Sequence, residues 1–392
     1  EFTNNGIALF EPNDYDGNTG NCTGANDPLL DEDSDGFDNA DEILNSTDPC
    51  SGADVPPDND GDFESDLVDP DDDNDGLNDD VDPFAVDASN GTATSLPVVL
   101  EWENNSPPAG GILELGFTGL RTNGTDYLDL FDPFAMTIGG AAGVITIDAA
   151  APGTAHGAAN TGEYGVQLGV TEQVNPFESL VRVAAPFAGV TPSAGQYLGA
   201  SMGNGTQDDY LRLVATANGI ELGVEVGGNF TPIATSSTPM PGPDALDLMF
   251  LVDPVAATVQ ASYVLINGGV PGPRIDVGGP QAVPSAWLTG STAFGVTSSR
   301  GAGTTFPVTF DQLEVRPVST GGNDVAASMQ ITPTGNLNGS SSSAGSFIVE
   351  NLSLTDDITS ISLDLGSAIM PDMVYDPIGV AGDTNGSDVT ID

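Results

Sequence analysis

The sequence predicts an all-β protein, and three observations carry that prediction. Apolar and polar residues alternate with period two in runs such as Tyr210-Leu211-Arg212-Leu213-Val214 and Ile220-Glu221-Leu222-Gly223-Val224-Glu225-Val226. Turn sequences separate such runs, among them Asn218-Gly219, Gly227-Gly228-Asn229 and Asn267-Gly268-Gly269. No segment of ten or more residues carries an amphipathic helical pattern. Many short strands at regular spacing predict a jelly-roll β-sandwich.

Composition divides the chain into four regions. Residues 1–12 hold a short apolar run, Ile7 to Phe10, ended by Pro12; it reads as a terminal strand suited to pairing with another subunit. Residues 13–90 are rich in Asp, Asn and Gly. Residues 91–320 hold the predicted strands: Leu96–Trp102, Ile112–Phe117, Gly143–Ile147, Tyr164–Val170, Leu180–Ala184, Tyr210–Ala215, Ile220–Val226, Leu246–Val252, Thr258–Leu265, Thr292–Thr297 and Val308–Val315. Residues 321–392 form a small C-terminal β segment, with SFIVENLSL and ITSISLDLGSAIM as its strands; it is either incomplete or an assembly element.

The chain has 392 residues, 58 Asp+Glu against 6 Lys+Arg, and a formal charge of −52. Every cation is an arginine. A charge of this sign excludes nucleic acid as a partner, because phosphate backbones require cations to meet them, and it disfavours anionic membranes. No apolar run is long enough to span a bilayer. The 39% apolar content suffices for a core.

The acidity is uneven. Residues 1–90 hold 28 of the carboxylates and no arginine. Like charges 4 Å apart cost about 1 kcal/mol in water and about 4 near a protein surface, so this segment folds only if something neutralises it. Cys22 and Cys50 flank part of it and read as one disulfide, with two free thiols as the alternative; closing a loop of this length stabilises by about 3–4 kcal/mol in the chain-entropy model. A disulfide implies an oxidising, extracellular setting, secreted or at the cell surface. The chain begins at Glu1 with no signal peptide, and is expected to be a processed product or part of a longer precursor.

An internal repeat supplies the neutralising agent. Residues 58–70 read DNDGDFESDLVDP and residues 71–83 read DDDNDGLNDDVDP, a period of 13. Carboxylates at positions 1, 3 and 5 of a tight turn converge on one point, and glycine permits the turn. Oxygen-only ligand sets of this density suit Ca²⁺. Upstream, residues 31–42 fit a twelve-residue calcium loop: Asp31, Asp33 and Asp35 at positions 1, 3 and 5, Gly36 at 6, the Phe37 carbonyl at 7, Asn39 at 9 and Glu42 at 12. A short helix is expected over Asp38–Leu44; no helix precedes the loop. These residues resemble thrombospondin type 3 repeats. That resemblance implies a compact tract wrapped around a row of calcium ions, ligated by Asp58, Asp60, Asp62, Asp66 and Asp69 in one unit and by Asp71, Asp73, Asp75, Asp79 and Asp82 in the next. The departure is Phe63, where the pattern has glycine after Asp62; Gly61 stands two positions earlier.

Catalytic signals are sparse. His156 is the lone histidine, in a Gly/Ala-rich loop, and is expected at the surface. Glu101/Glu103 and Glu221/Glu225 share strand faces and are expected to face solvent rather than form a glycosidase pair. Trp102 and Trp287 are expected in the core, with a sugar-lining role as the alternative. Ten Asn-x-Ser/Thr sequons occur, five of them Asn-Gly-Thr or Asn-Gly-Ser, which are also turn sequences. The segments DYLRLVATANGIELGVEV and FPVTFDQLEV resemble the concanavalin A-like or laminin G-like sandwich class. Together these readings predict a secreted, non-enzymatic, calcium-binding structural or surface protein. Its partners would be copies of itself, assembled into a filament or matrix through the terminal strands, or other surface proteins. The alternative is a carbohydrate-binding or adhesion module of a larger secreted protein, with glycans as partners. Adaptation to salt alone would explain the missing lysines, but not the 13-residue period.

Overall fold

The computed structural model describes residues 29–102, 113–125, 130, 132, 135–139 and 143–318, and two strands at 327–331 and 347–351. The predicted strand at Ile7–Phe10, Cys22 and the segment 358–370 lie outside the described residues. The chain divides into two compact units at Val318/Ser319. In the second, β18 (Ala327–Ile331) and β19 (Phe347–Asn351) form an antiparallel hairpin.

Among the described residues the first unit holds one short α-helix, α1 (Asn39–Asn45), and two antiparallel sheets. The first sheet runs β13 (Val270–Pro271), β12 (Thr258–Asn267), β11 (Ala245–Asp253), β6 (Phe177–Ala184), β17 (Val308–Pro317), β4 (Val144–Ile147), β3 (Met136–Gly139). β1 (Val98–Glu101) also pairs with β17, and β14 (Ile275–Asp276) and β15 (Gln281–Ala282) cover the free side of β12. The second sheet runs β10 (Asn229–Ser236), β9 (Gly219–Val226), β8 (Tyr210–Thr216), β7 (Tyr197–Gly203), β16 (Thr292–Ser299), β5 (Val166–Val170), β2 (Gly119–Leu120).

Period two decides what lies between the sheets. Phe177, Val181 and Val183 of β6 and Leu246, Leu248, Phe250 and Val252 of β11 enter the core from one side. Leu198, Ala200 and Met202 of β7, Leu211 and Leu213 of β8, and Phe294 and Val296 of β16 enter from the other. Phe177 meets Phe294 edge to face at 5.7 Å across the gap, a favoured aromatic geometry. The result is a β-sandwich. On the outer face of the first sheet Arg182 grips Asp247 through Nε at 2.6 Å and Nη2 at 2.9 Å.

Part of the outer face of the second sheet is covered. The segment from Ala150 to Glu163 crosses it, with Gly157 N–H donating to Glu225 at 3.0 Å and Thr154 bonded to the Tyr197 hydroxyl at 3.1 Å. This overturns one expectation. Glu225, assigned to the solvent face with Glu221, is fully buried and also accepts the Tyr210 hydroxyl at 2.9 Å. Strand periodicity identifies two faces but not a loop that covers the polar one. His156 stays exposed at the rim of that loop, beside Phe230 at 3.9 Å. Glu103 lies outside the described residues.

A second correction concerns Ile112–Phe117. Leu113–Leu115 is a 3₁₀ turn, and Gly116 at φ +97° brings the chain against Leu100, where an added Cβ would lie 2.4 Å from the side chain. A left-handed residue ends extension. Trp102 and Trp287 are both core residues, and Trp102 stacks on Phe117 at 5.9 Å, so neither lines a sugar site.

Candidate metal centre

Residues 31–82 fold into three copies of one loop. In each copy the aspartate at position 1 accepts the N–H of position 6: Gly36 to Asp31, Phe63 to Asp58 and Gly76 to Asp71, each at 3.1 Å. The aspartate at position 3 accepts the N–H of position 5, from Asp35 to Asp33 at 3.3 Å and at 3.0 Å from Asp62 to Asp60 and from Asp75 to Asp73. The aspartate at position 5 accepts the N–H of position 7, from Phe37 to Asp35, Glu64 to Asp62 and Leu77 to Asp75, at 2.7–3.1 Å. These bonds turn the three carboxylates of each loop toward one point. Asp31, Asp33 and Asp35 bring ligand oxygens within 4.8 Å of one another, and so do Asp58, Asp60 and Asp62, and Asp71, Asp73 and Asp75.

The closing halves match as well. The N–H of position 9 (Asn39, Asp66, Asp79) bonds to the carbonyl just before each loop, of Leu30, Pro57 and Pro70. Position 12 (Glu42, Asp69, Asp82) bonds through its N–H to the carbonyl of position 8 (Asp38, Ser65, Asn78). In the first copy this half is α1, whose N-cap Asp38 accepts from Ala40 and Asp41. The three loops therefore carry the same ligand positions, and position 7, assigned to Phe37 in the first, falls at Glu64 and Leu77 in the others.

The Phe63 departure resolves in backbone terms. Each loop has two left-handed residues, at positions 4 and 6: Ser34 and Gly36, Gly61 and Phe63, Asn74 and Gly76. The middle loop places its glycine at the first of these. Phe63 keeps φ +74° at the second, and its ring meets Phe37 edge to face at 5.9 Å over the bare Gly36.

The electrostatics conflict sharply with burial. Glu42 has no exposed surface, and neither carboxylate oxygen has a hydrogen-bond partner. Burial, then the charges of Asp33, Asp35, Asp31 and Asp48, push its pKa up to about 8. Burial, then Asp82, Asp75 and Asp71, raises Asp73 to about 7, and Asp82 rises to about 6 from burial and the charges of Asp75, Asp71 and Asp87. Asp33 and Asp69 are raised for the same reasons. Asp33, Asp35, Asp71, Asp73 and Asp82 also each bury an oxygen that no donor meets. A buried carboxylate without donor or counter-ion is costly. Oxygen-rich, anionic and converging, these positions fit a hard divalent cation. Of the nine aspartates at positions 1, 3 and 5, Asp73 alone is buried.

Side chains outside the ligand positions tie the copies together. Ser65 N–H donates to Asp41 at 3.0 Å, its hydroxyl bonds the same carboxylate, and Asn45 reaches the Ser65 hydroxyl at 2.8 Å. Asn74 donates to Asp60, and Asn90 to Asp75. Sequence reasoning missed Asp41, Asp48, Asn74 and Asn90; their partners lie up to 24 residues away. Of the predicted disulfide, Cys50 is disulfide-bonded, and Cys22 lies outside the described residues.

The tract ends against the sandwich. Gln167 of β5 donates at 3.0 Å to the carbonyls of Pro83, Leu120 and Gly205. Phe84 is buried there, and Gly119 and Gly169 let the backbone approach: a Cβ on Gly119 would lie 2.4 Å from the Pro83 oxygen.

No protein-family model and no characterised protein sequence matches the chain. Among solved structures, it is similar to a xylan β-1,4-xylosidase from Bacillus halodurans (16% identity, TM-score 0.33), over 44% of this chain and 33% of that one. It is also similar to the CBM2 module of a Dit protein from Lactobacillus casei phage J-1 (11%, 0.31), over 57% and 92%. A third is lectin I-B4 of Griffonia simplicifolia (11%, 0.28), over 45% and 93%. The chain spans about a third of the xylosidase's length. With scores this low, the sandwich architecture rests on the two sheets themselves.

Proposed function

We propose that this is a secreted, non-enzymatic structural or surface protein whose acidic tract is held rigid by calcium. One ion would sit in each of the loops 31–42, 58–69 and 71–82, held by the carboxylates of positions 1, 3, 5 and 12, the carbonyl at position 7 and the side chain at position 9. The ions supply the positive charge that the tract's own residues lack. The single observation that carries this reading is Glu42, a fully buried carboxylate with no donor, facing the three aspartates of its own loop. The resemblance to thrombospondin type 3 repeats points the same way. The extracellular assignment rests on the disulfide-bonded Cys50. Assembly through the terminal segments is part of the same reading, and electron microscopy in calcium tests it.

The cation is tested by calorimetry of the whole chain in calcium and in EDTA at low salt. Chelation is expected to melt residues 31–92 well below the sandwich and to open them to proteolysis. Identical melting curves in both buffers would remove the calcium reading.

A further inference from the structure

In a chain with 58 carboxylates and 6 cations, a buried arginine with no ion-pair partner among the described residues is a placed donor. Arg212 of β8 is such a residue. It is 7% exposed, and its guanidinium lies between the rings of Tyr197 at 4.6 Å and Phe230 at 4.5 Å. The two rings fix its plane. Its Nη1 is buried with no hydrogen-bond partner, and among the described residues no carboxylate lies within ion-pair distance of it. A buried donor left unmet is costly unless something arrives to meet it.

Arg212 lines a cleft of about 120 Å³ on the outer face of β8–β10. Glu221 lines the same cleft. It takes Thr216 and Asn218 on Oε1 at 3.0 and 2.9 Å, which leaves Oε2 as an acceptor. Gly223 lies on the floor, and the wall includes Pro232, at the bulge where β10 slips register against β9. Bulges concentrate where a strand re-aims side chains beside a site. A fixed donor, a nearby acceptor and an apolar wall match a ligand carrying adjacent hydroxyls on an apolar ring edge. One cation beside one anion gives the cleft little net charge, and a chain of −52 does not attract anions.

We propose that this cleft binds a neutral sugar, with one hydroxyl accepting from the Arg212 guanidinium and its neighbour donating to Glu221. The site is independent of the calcium loops. The test uses the full chain in calcium, with saturation-transfer and amide-shift NMR against xylotetraose, cellotetraose and mannotetraose, and tetragalacturonate as the acidic comparator. At least one neutral sugar is expected to bind with a Kd of about 1 mM or tighter, shifting amides between residues 212 and 235. Thr235→Trp, at an exposed rim position, is expected to fill the cleft and weaken binding about tenfold or more with melting unchanged; Arg212→Gln is expected to do the same if it folds. Three results would each overturn the proposal: no neutral sugar bound at about 10 mM, tighter binding of tetragalacturonate, or unchanged affinity in Thr235→Trp.

Discussion

A glutamate with no exposed surface and several aspartates around it is comfortable in two states only, protonated or bound to a cation. Glu42 is in that position, and the choice between the states makes the sign of its substitution depend on the buffer. Glu42→Gln removes the charge and keeps the shape. In EDTA the variant is expected to melt higher than the parent, because the buried charge is gone. In calcium it is expected to bind about tenfold more weakly or worse, because a ligand is gone; melting at graded calcium concentrations reads both. Acidity has a related effect. Glu42, Asp73 and Asp82 have folded pKa values of about 8, 7 and 6, above their ordinary values of 4.5 and 3.8. A carboxyl raised by folding stabilises the folded state fully below its unfolded pKa, and that stability is lost as pH climbs through the folded value. The metal-free tract is therefore expected to gain stability from pH 8 down to about 5. The calcium-loaded tract is expected to lose it over the same range, as protons compete for the ligands. Parallel pH profiles in both buffers would defeat this account.

At the scale of the loop and the strand, legibility followed periodicity. The aspartates at positions 1, 3 and 5 were readable because side-chain chemistry and spacing coincide there. The left-handed pair at positions 4 and 6 was not, because three different residue types, Ser34, Gly61 and Asn74, fill the first of them. β9, Ile220-Glu221-Leu222-Gly223-Val224-Glu225-Val226, was readable from alternation, and β11 from its apolar run. β7 was missed: Tyr-Leu-Gly-Ala-Ser-Met-Gly mixes small and large residues with neither polar alternation nor a run of β-branched residues. β10 was missed for the opposite reason, being largely exposed and interrupted by Pro232. Its proline and bulge also discourage a foreign strand from pairing at that edge. The sequons at Asn123 and Asn204 act in the structure as matched turns: each Asn side chain accepts the N–H and hydroxyl of the Thr two residues on. The contact between loops gives a sharp prediction. A Cβ on Gly36 would lie 2.3 Å from the Phe63 ring, and φ there is +117°. Gly36→Ala is expected to destabilise the calcium-loaded tract by roughly 2 kcal/mol or more, from strain and clash together. Adding Phe63→Leu should recover the clash and leave the strain. A double-mutant cycle without coupling would show that the ring does not pack there.

For the whole molecule, the question is whether tract and sandwich melt as one body. The acidic loops have almost no apolar core: Val68 and Val81, which repeat with the period, are both exposed. On the proposed reading their cohesion comes from bound ions, together with anchorage at the far end, where Phe84 is buried and Gln167 donates to three carbonyls. Asn90 joins the two: its side chain donates to Asp75 in the last loop, and its carbonyl accepts the Ser291 hydroxyl beside β16. Order at the third loop is thus mechanically tied to the β5 side of the sandwich. Gln167→Ala removes the amide that holds the Pro83 carbonyl, leaving the ligands and the Asn90 contacts untouched. Each buried carbonyl it strands costs about 1–3 kcal/mol where water cannot replace the donor. The calcium-loaded parent is expected to unfold in one calorimetric transition. Gln167→Ala is expected to show two, with the tract melting first and the calcium stoichiometry unchanged. If the variant instead melts in a single transition displaced to lower temperature, Gln167 supports only the sandwich, and the tract must be anchored by Phe84 and the contacts of Gly91 with Gly169.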